Sequence, residues 1–166
     1  MDQESDLSQR ARQVFATSAR EAAQLGHEQV GTEHLLLGLL AEAQGVAATV
    51  LRHLEVDVQQ VRSRVLEIIR SEGPAMVDVP RPLTTRGKRA VALARAAAAD
   101  LGHTYLGTEH LLLGLIGEEQ GIAAQLLREH GVTMDRAWAE TRRLLGAPGN
   151  ASTNGSTTTD RPSGLA

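Results

Sequence analysis

The stretch LGHEQVGTEHLLLGLLAEAQGVAA at residues 25–48 returns as LGHTYLGTEHLLLGLIGEEQGIAA at residues 101–124. The offset between the two copies is 76 positions, and the copies align without a gap. The same offset relates the segments that begin at Leu7 and Leu83. Self-similarity at a fixed period indicates a structural unit that was duplicated within one chain. We therefore expect two copies of one compact unit, with any site of that unit present twice.

The composition favours helices and a soluble protein. Only three of the 166 residues are aromatic, so a core must be built from Leu, Val, Ile and Ala. The net charge of −3 gives no general attraction to nucleic acid or to an anionic membrane. The chain has no cysteine, its acidic start is unlike a signal peptide, and its longest apolar run is too short to span a bilayer. A cytoplasmic protein is expected.

Each copy is predicted to form four helices. Apolar residues recur at three- and four-residue steps before Gly26, which predicts a first helix with Ser8 as its N-cap. A second helix is predicted to start at Thr32 as N-cap, with Glu33 in the first turn, where the helix dipole favours negative charge. This helix is apolar nearly all round, as is typical of a buried element.

The remaining helices follow the same logic. Gly45 precedes a short third helix that ends near His53, and the fourth carries apolar residues at helical spacing: Val58, Val61, Val65 and Ile68. The second copy repeats these signals at Thr84, Thr108, Gly121 and the last helix 134–145. A glycine inside a helix costs about 1 kcal/mol relative to alanine. Gly38 and Gly114 inside both apolar helices therefore indicate close backbone packing.

These signals predict an all-α fold of two tandem four-helix repeats related by a pseudo-twofold axis. Repeat 1 is placed at residues 6–71 and repeat 2 at residues 83–146, together one domain at 1–146. The segment 72–82 holds three prolines and is predicted to be an extended linker. Residues 147–166 have no apolar periodicity and are predicted to be a disordered tail.

Catalytic signatures are missing from the sequence. It contains no GxxxxGK[ST] phosphate loop, no HExxH motif and no GxSxG motif. We therefore predict no enzyme activity, no catalytic residues and no cofactor.

Four histidines occupy equivalent places in the two copies. Paired histidines can bind zinc, but no cysteine accompanies them. The two histidines of each copy are seven residues apart with a loop between them, so helical periodicity does not place them on one face. We predict that they are structural and form no metal site. His27 and His103 are expected to satisfy backbone groups of the interhelical loop, and His34 and His110 to support the helix starts.

The helix starts themselves are the candidate site. Ser8 and Thr84 begin the first helices, and Glu33 and Glu109 begin the apolar ones. A helix N-terminus offers free N–H groups to an anion, and a carboxylate can hold a guanidinium with two hydrogen bonds. Together they suit a ligand that bears both charges. The same residue types are also ordinary helix caps, and the residues alone leave both interpretations open.

The motifs GTEHLLLGLL and GTEHLLLGLI, each preceded by LGH and followed by QG(V/I)AA, resemble the Clp N-terminal (Clp repeat) domain family. The resemblance covers about residues 6–146 and is closest to the ClpC branch. It implies a double Clp-N bundle that receives substrates and adaptors for an attached unfoldase motor, which works with the ClpP protease. The chain ends where that motor would begin, which indicates either a standalone, motorless version or a fragment; the standalone version is expected.

The resemblance also implies a ligand. ClpC-type domains bind phosphoarginine, a degradation mark, in two related pockets. The GTEH glutamate contacts the guanidinium, and the hydroxyl residue that begins each repeat helps to hold the phosphate. The corresponding pairs here are Ser8 with Glu33 and Thr84 with Glu109.

One departure concerns the residue before each hydroxyl. The family usually has Phe there, whereas this chain has Leu7 and Leu83. The change weakens the surface at which cyclic-peptide antibiotics bind ClpC domains.

The expected function is a non-catalytic protein- or peptide-binding module of the Clp chaperone–protease system. It would capture Clp substrates or adaptors, including arginine-phosphorylated proteins. Two alternatives stay open: a decoy that sequesters Clp-directed toxic cyclic peptides, and an accessory subunit that binds Clp unfoldase subunits in the ATP-dependent ClpC–ClpP protease. No nucleic-acid or membrane partner is expected.

Overall fold

The computed structural model describes residues 6–70, 73–75, 77 and 80–146. Over these residues the chain forms eight helices, and its only β-structure is isolated bridges. The helices are α1 (Gln9–Gln24), α2 (Thr32–Ala41), α3 (Val46–His53), α4 (Val58–Ile68), α5 (Thr85–Asp100), α6 (Thr108–Gly117), α7 (Ile122–Glu129) and α8 (Met134–Leu145). The predicted all-α fold of four helices per repeat is confirmed.

The helix boundaries follow the sequence repeat. Each boundary of α1 to α4 recurs 76 residues later in α5 to α8, except that α8 is one residue longer than α4. The predicted disordered tail lies outside the described residues, as does much of the linker. Within the described residues, no single helix is long and apolar enough to cross a membrane; α2 and α3 meet such a test only as a pair bent by 88°.

The first helix of each repeat is capped as predicted. The Ser8 hydroxyl accepts the backbone N–H of Ala11 at 3.0 Å, and the Thr84 hydroxyl accepts that of Gly87 at 3.0 Å. Each bond satisfies one of the N–H groups that a helix start leaves without an intrahelical partner. Ser8 and Thr84 are therefore fixed in position at the ends of α1 and α5.

The predicted caps of the buried helices are wrong by one residue. Gly31 and Gly107 are the N-cap residues of α2 and α6, and both have extended backbones. Thr32 and Thr108 are the first helical residues instead. The Thr108 hydroxyl is engaged elsewhere, because it accepts the N–H of Ala47 in α3 of the other repeat at 3.1 Å.

Histidine supports these two starts, as predicted. His34 Nδ1 accepts the N–H of Gly31 at 2.9 Å, and His110 Nδ1 accepts that of Gly107 at 2.8 Å. A side chain at the third helical position that reaches back to the N-cap amide is one half of a capping box. Glycine at the cap has no side chain for the other half.

The histidines continue into a short chain of hydrogen bonds. Because Nδ1 of His34 accepts, its ring proton is assigned to Nε2, which donates to His27 Nδ1 at 2.7 Å. His27 Nε2 then donates to the carbonyl of Arg70, beyond α4, at 2.9 Å. In repeat 2, His110 and His103 pair in the same way at 2.8 Å. Residues seven positions apart come together here because the loop between them brings one ring back to the other.

The two repeats share one hydrophobic core. Its central side chains come from α2 and α6 and are almost completely buried: Leu36, Leu37, Leu112 and Leu113. In α4 the predicted apolar face includes Val61 and Val65, and both are fully buried. The prediction is wrong at Ile68, which is exposed while Ile69 is buried. The helix ends at Ile68 and the backbone becomes extended at Ile69, which shifts the apolar face.

Gly38 and Gly114 lie where helices approach closely, as predicted. A Cβ atom at Gly38 would lie 2.5 Å from the carbonyl oxygen of Val14 and against the hydroxyl of Ser18, both in α1. A Cβ atom at Gly114 would collide with the carbonyl oxygen of Ala90 in α5. The backbone atoms cannot yield as the end of a flexible side chain can.

Gly38→Ala should therefore destabilise the protein, by about 1–3 kcal/mol as for other overpacked cores. Helix propensity alone predicts the opposite sign, a gain of about 1 kcal/mol. Urea unfolding of the two proteins measures the difference. Ser63→Ala, at an exposed position of α4, is the control and should change stability by less than about 0.5 kcal/mol. A Gly38→Ala protein more stable than wild type would contradict the packing argument.

His110 should make stability depend on pH. Burial and the neighbouring His103 lower the pKa of His110 from 6.5 to about 4. As pH falls, the unfolded chain takes up the proton first. The contribution of neutral His110 to the free energy of unfolding is thus complete above pH 6.5. It is lost between pH 6.5 and 4, and the loss is up to about 3 kcal/mol.

Urea unfolding at several pH values tests this in wild type and His110→Asn. The asparagine carbonyl can still accept the N–H of Gly107 but does not titrate. The carboxylates contribute the same background to both proteins, so the difference between the two profiles isolates His110. Parallel profiles would show that His110 does not carry the effect.

Candidate functional site

The start of α5 lies beside the GTEH motif of repeat 1. The N–H of Thr84 donates to the carbonyl of Val30 at 2.9 Å, and the N–H of Val30 donates to the carbonyl of Pro82 at 2.9 Å. These bonds form a parallel bridge between Val30 and Leu83. Thr84 and Glu33 line the same open pocket, which has a volume of about 640 Å³.

The start of α1 makes the equivalent contact with repeat 2. The N–H of Ser8 donates to the carbonyl of Leu106 at 2.9 Å, and the N–H of Leu106 donates to the carbonyl of Asp6 at 2.8 Å. Leu7 and Leu106 form the corresponding parallel bridge. Ser8 is therefore held next to the segment that leads into Gly107 and Glu109.

The four predicted residues are thus paired across the repeats. The structure brings Thr84 to Glu33, and it brings Ser8 to the segment that carries Glu109. The sequence analysis paired these residues within a repeat, whereas the backbone bonds place each helix start beside the GTEH segment of the other repeat. The two repeats align without a gap, so equivalent residues are always the same distance apart in the sequence. This spacing is the same whether the start of a first helix lies beside the GTEH motif of its own repeat or beside that of the other repeat, and it could not distinguish the two arrangements.

Glu33 is turned back over the start of its own helix. A Cβ atom at Gly31 would lie 2.6 Å from Glu33 Oε2, so glycine at this cap leaves room for the carboxylate. The side chain of Glu33 is 21% exposed, and its Oε1 lies 3.8 Å from His34 Nδ1. The Glu33 side chain is therefore partly exposed at the pocket, which Thr84 at the start of α5 also lines.

Glu109 has the same fold-back and a different environment. A Cβ atom at Gly107 would collide with Glu109 Oε1. Glu109 is only 3% exposed, and the hydroxyl of Tyr105 donates to its Oε2 at 3.3 Å. Burial and the nearby Glu109 carboxylate raise the pKa of Tyr105. One signal of this difference is visible in the sequence, because repeat 1 has Gln29 where repeat 2 has Tyr105.

His103, Glu109 and His110 form a further group of candidate ligand atoms. One atom from each lies within 4.8 Å of the others. However, His103 Nδ1 and His110 Nε2 share a hydrogen bond, and His110 Nδ1 accepts the N–H of Gly107. These nitrogens have protein partners, which supports the structural role predicted for the histidines.

The arrangement can bind a ligand that carries opposite charges at its two ends. The N-terminus of α5 provides a positive dipole end and backbone N–H groups for an anion. Glu33 provides a carboxylate for a cation, and a planar guanidinium fits a carboxylate with two parallel hydrogen bonds. The pocket is also lined by Arg70 and Glu28.

Comparison with known proteins identifies the family of the chain. The chain matches the family described as "Clp repeat (R) N-terminal domain" at residues 6–78 and 82–162. It is 41% identical over 153 residues to the "ATP-dependent Clp protease ATP-binding subunit ClpA homolog" of Pyropia yezoensis, covering 92% of this chain and 18% of that protein. It is 40% identical over 141 residues to the "Negative regulator of genetic competence ClpC/MecB" of Bacillus subtilis, covering 85% and 17%.

Solved structures show the same fold. The N-terminal domain of the chaperone ClpD from Arabidopsis thaliana superimposes with a TM-score of 0.67 at 23% identity, over 87% of this chain and 99% of that one. The N-domain of ClpV from Vibrio cholerae gives 0.67 at 15% identity, over 83% and 82%. The chain spans less than a fifth of the length of the two relatives above. Its sequence and its eight-helix fold show that it belongs to the Clp repeat N-terminal domain family.

Proposed function

We propose that this chain is a non-catalytic binding module that captures substrates or adaptors of the Clp chaperone–protease system. Its family membership supports this role, as do relatives named as ATP-binding subunits of the Clp protease. The 166-residue sequence has no phosphate-binding loop of its own. The ATP-dependent activity named for those relatives would therefore reside outside these 166 residues.

The proposed ligand is phosphoarginine on a protein substrate. The observation that carries this proposal is that Thr84 and Glu33 line one open pocket. The start of α5 would hold the phosphate, and the Glu33 carboxylate would hold the guanidinium. Ser8 and Glu109 would form the second site. Sequestration of cyclic peptides and an accessory role in the ClpC–ClpP protease remain alternative uses of the domain, and a phosphoarginine pocket favours substrate capture.

Glu33→Gln should weaken phosphoarginine binding at the repeat 1 pocket by about tenfold or more, because a hydrogen bond to a charged group is worth roughly 1.5–3 kcal/mol. Calorimetric titration with phosphoarginine measures this, and free arginine tests the contribution of the phosphate. Glu28→Gln removes an exposed carboxylate that lines the same pocket, so it is the matched control. No binding by wild type, or equal binding by Glu33→Gln, would disprove the site.

Double-mutant cycles test the pairing across the repeats. Thr84→Val and Glu33→Gln act on one pocket, so their effects on affinity should be non-additive, whereas Ser8→Ala and Glu33→Gln should add. Thermal melts must accompany the affinities, since loss of an N-cap hydroxyl costs about 1 kcal/mol of stability. If the effects of Ser8→Ala and Glu33→Gln were non-additive and those of Thr84→Val and Glu33→Gln were additive, the ligand would be bound by residues of one repeat.

A further inference from the structure

The two GTEH sites differ at the residue two positions before the cap glycine. Tyr105 holds this position in repeat 2 and Gln29 holds it in repeat 1. The glutamates are otherwise arranged alike, because each folds back over its cap glycine. This position is therefore one at which access to the two carboxylates can differ; the flanking pairs Glu28/Thr104 and Val30/Leu106 also differ.

Tyr105 covers Glu109 with both its hydroxyl and its ring. The hydroxyl donates to Glu109 Oε2 at 3.3 Å. The ring stacks on His103 with 5.1 Å between centroids and 12° between planes. Its Cε2 atom would lie 3.0 Å from a Cβ atom at Gly107, so the ring lies against the start of α6.

The exposure of the two glutamates follows this difference. Glu109 is 3% exposed, whereas the side chain of Glu33 is 21% exposed and lines an open pocket. Gln29 lines that pocket and is itself exposed. Tyr105 is 39% exposed, so part of its side chain borders solvent.

We propose that Tyr105 is a gate that closes the repeat 2 site to guanidinium ligands until its hydroxyl leaves Glu109. The inference rests on the proposed function, since it concerns the order in which the two sites fill. The phenol and a guanidinium are both donors, and they compete for the same carboxylate oxygen. A site that binds only in a minor, open conformation has its apparent affinity reduced by the fraction of molecules that are open. Repeat 1 is therefore the high-affinity site and repeat 2 the low-affinity one.

The sequence provides its own matched substitutions. Tyr105→Gln places the repeat 1 residue in repeat 2 and removes both the phenolic hydroxyl and the ring. Tyr105→Phe removes the competing hydroxyl and keeps the ring. Gln29→Tyr places the gate over repeat 1. Affinity at repeat 2 should rise from wild type through Tyr105→Phe to Tyr105→Gln, and Gln29→Tyr should weaken repeat 1.

The test is calorimetric titration of the full chain with phosphoarginine in a Glu33→Gln background, where binding at repeat 1 is weakened. Tyr105→Gln should then tighten binding at repeat 2 by about tenfold, the equivalent of one hydrogen bond to a charged group. Tyr105 is the only tyrosine, so its ring signals in an NMR spectrum report on the gate directly. They should shift when repeat 2 of the Glu33→Gln protein fills.

The outcomes separate the gate from the proposed function. If the wild type binds at repeat 1 but Tyr105→Gln leaves repeat 2 unchanged, the gate is wrong and the binding function stands. Equal affinity of the two sites in wild type also overturns the gate. If neither wild type nor any variant binds phosphoarginine, both proposals fail. Melting temperatures and the fluorescence of the single Trp138 verify that each variant is folded.

Discussion

Four backbone hydrogen bonds exchanged between the repeats determine how the rest of the molecule is arranged. They join the segment before α1 to Leu106 and the segment before α5 to Val30. Backbone N–H and C=O groups lose free energy when they are buried without partners, and the two bridges satisfy these groups where the repeats meet. Leu7 and Leu83 pack partly buried against the core at these bridges. Each candidate site is consequently built from both repeats, so neither repeat could form one alone.

Within that frame, each residue of the GTEH motif has a physical role. Gly107 leaves space for the carboxylate of Glu109, which folds back over the helix start. Thr108 binds the backbone of Ala47 in the other repeat, and His110 accepts the cap amide. The motif thus combines a helix start, a contact between repeats and a positioned carboxylate. A motif with three such roles leaves little freedom for substitution.

The sequence was sufficient for the parts of the structure that depend on local chemistry. Helical periodicity and cap residues such as Ser8 determine where helices begin and end. A glycine inside a helix, such as Gly38, lowers helix stability, so its presence indicates that another backbone packs closely against it. The sequence was insufficient where the partner is distant. The hydroxyl of Thr108 accepts a hydrogen bond from a residue 61 positions away. The local sequence contains no signal that this hydroxyl does not cap its own helix. The pairing of Thr84 with Glu33 was hidden for the same reason, since a duplication makes both pairings equivalent in sequence.

The burial of Glu109 explains how a closed site can remain usable. A buried carboxylate without a partner is unfavourable. Here the hydroxyl of Tyr105 and the positive end of the α6 dipole stabilise it, because both favour negative charge at that place. A guanidinium is a stronger partner than a neutral phenol, since its hydrogen bonds are charge-assisted and bidentate. The ligand replaces the hydrogen bond that the phenol gives up, so the cost of opening the gate is temporary and the carboxylate is paired again once the guanidinium is bound. The side chain of Glu33 is in contact with solvent, so its carboxylate needs no protein donor in the place of Tyr105.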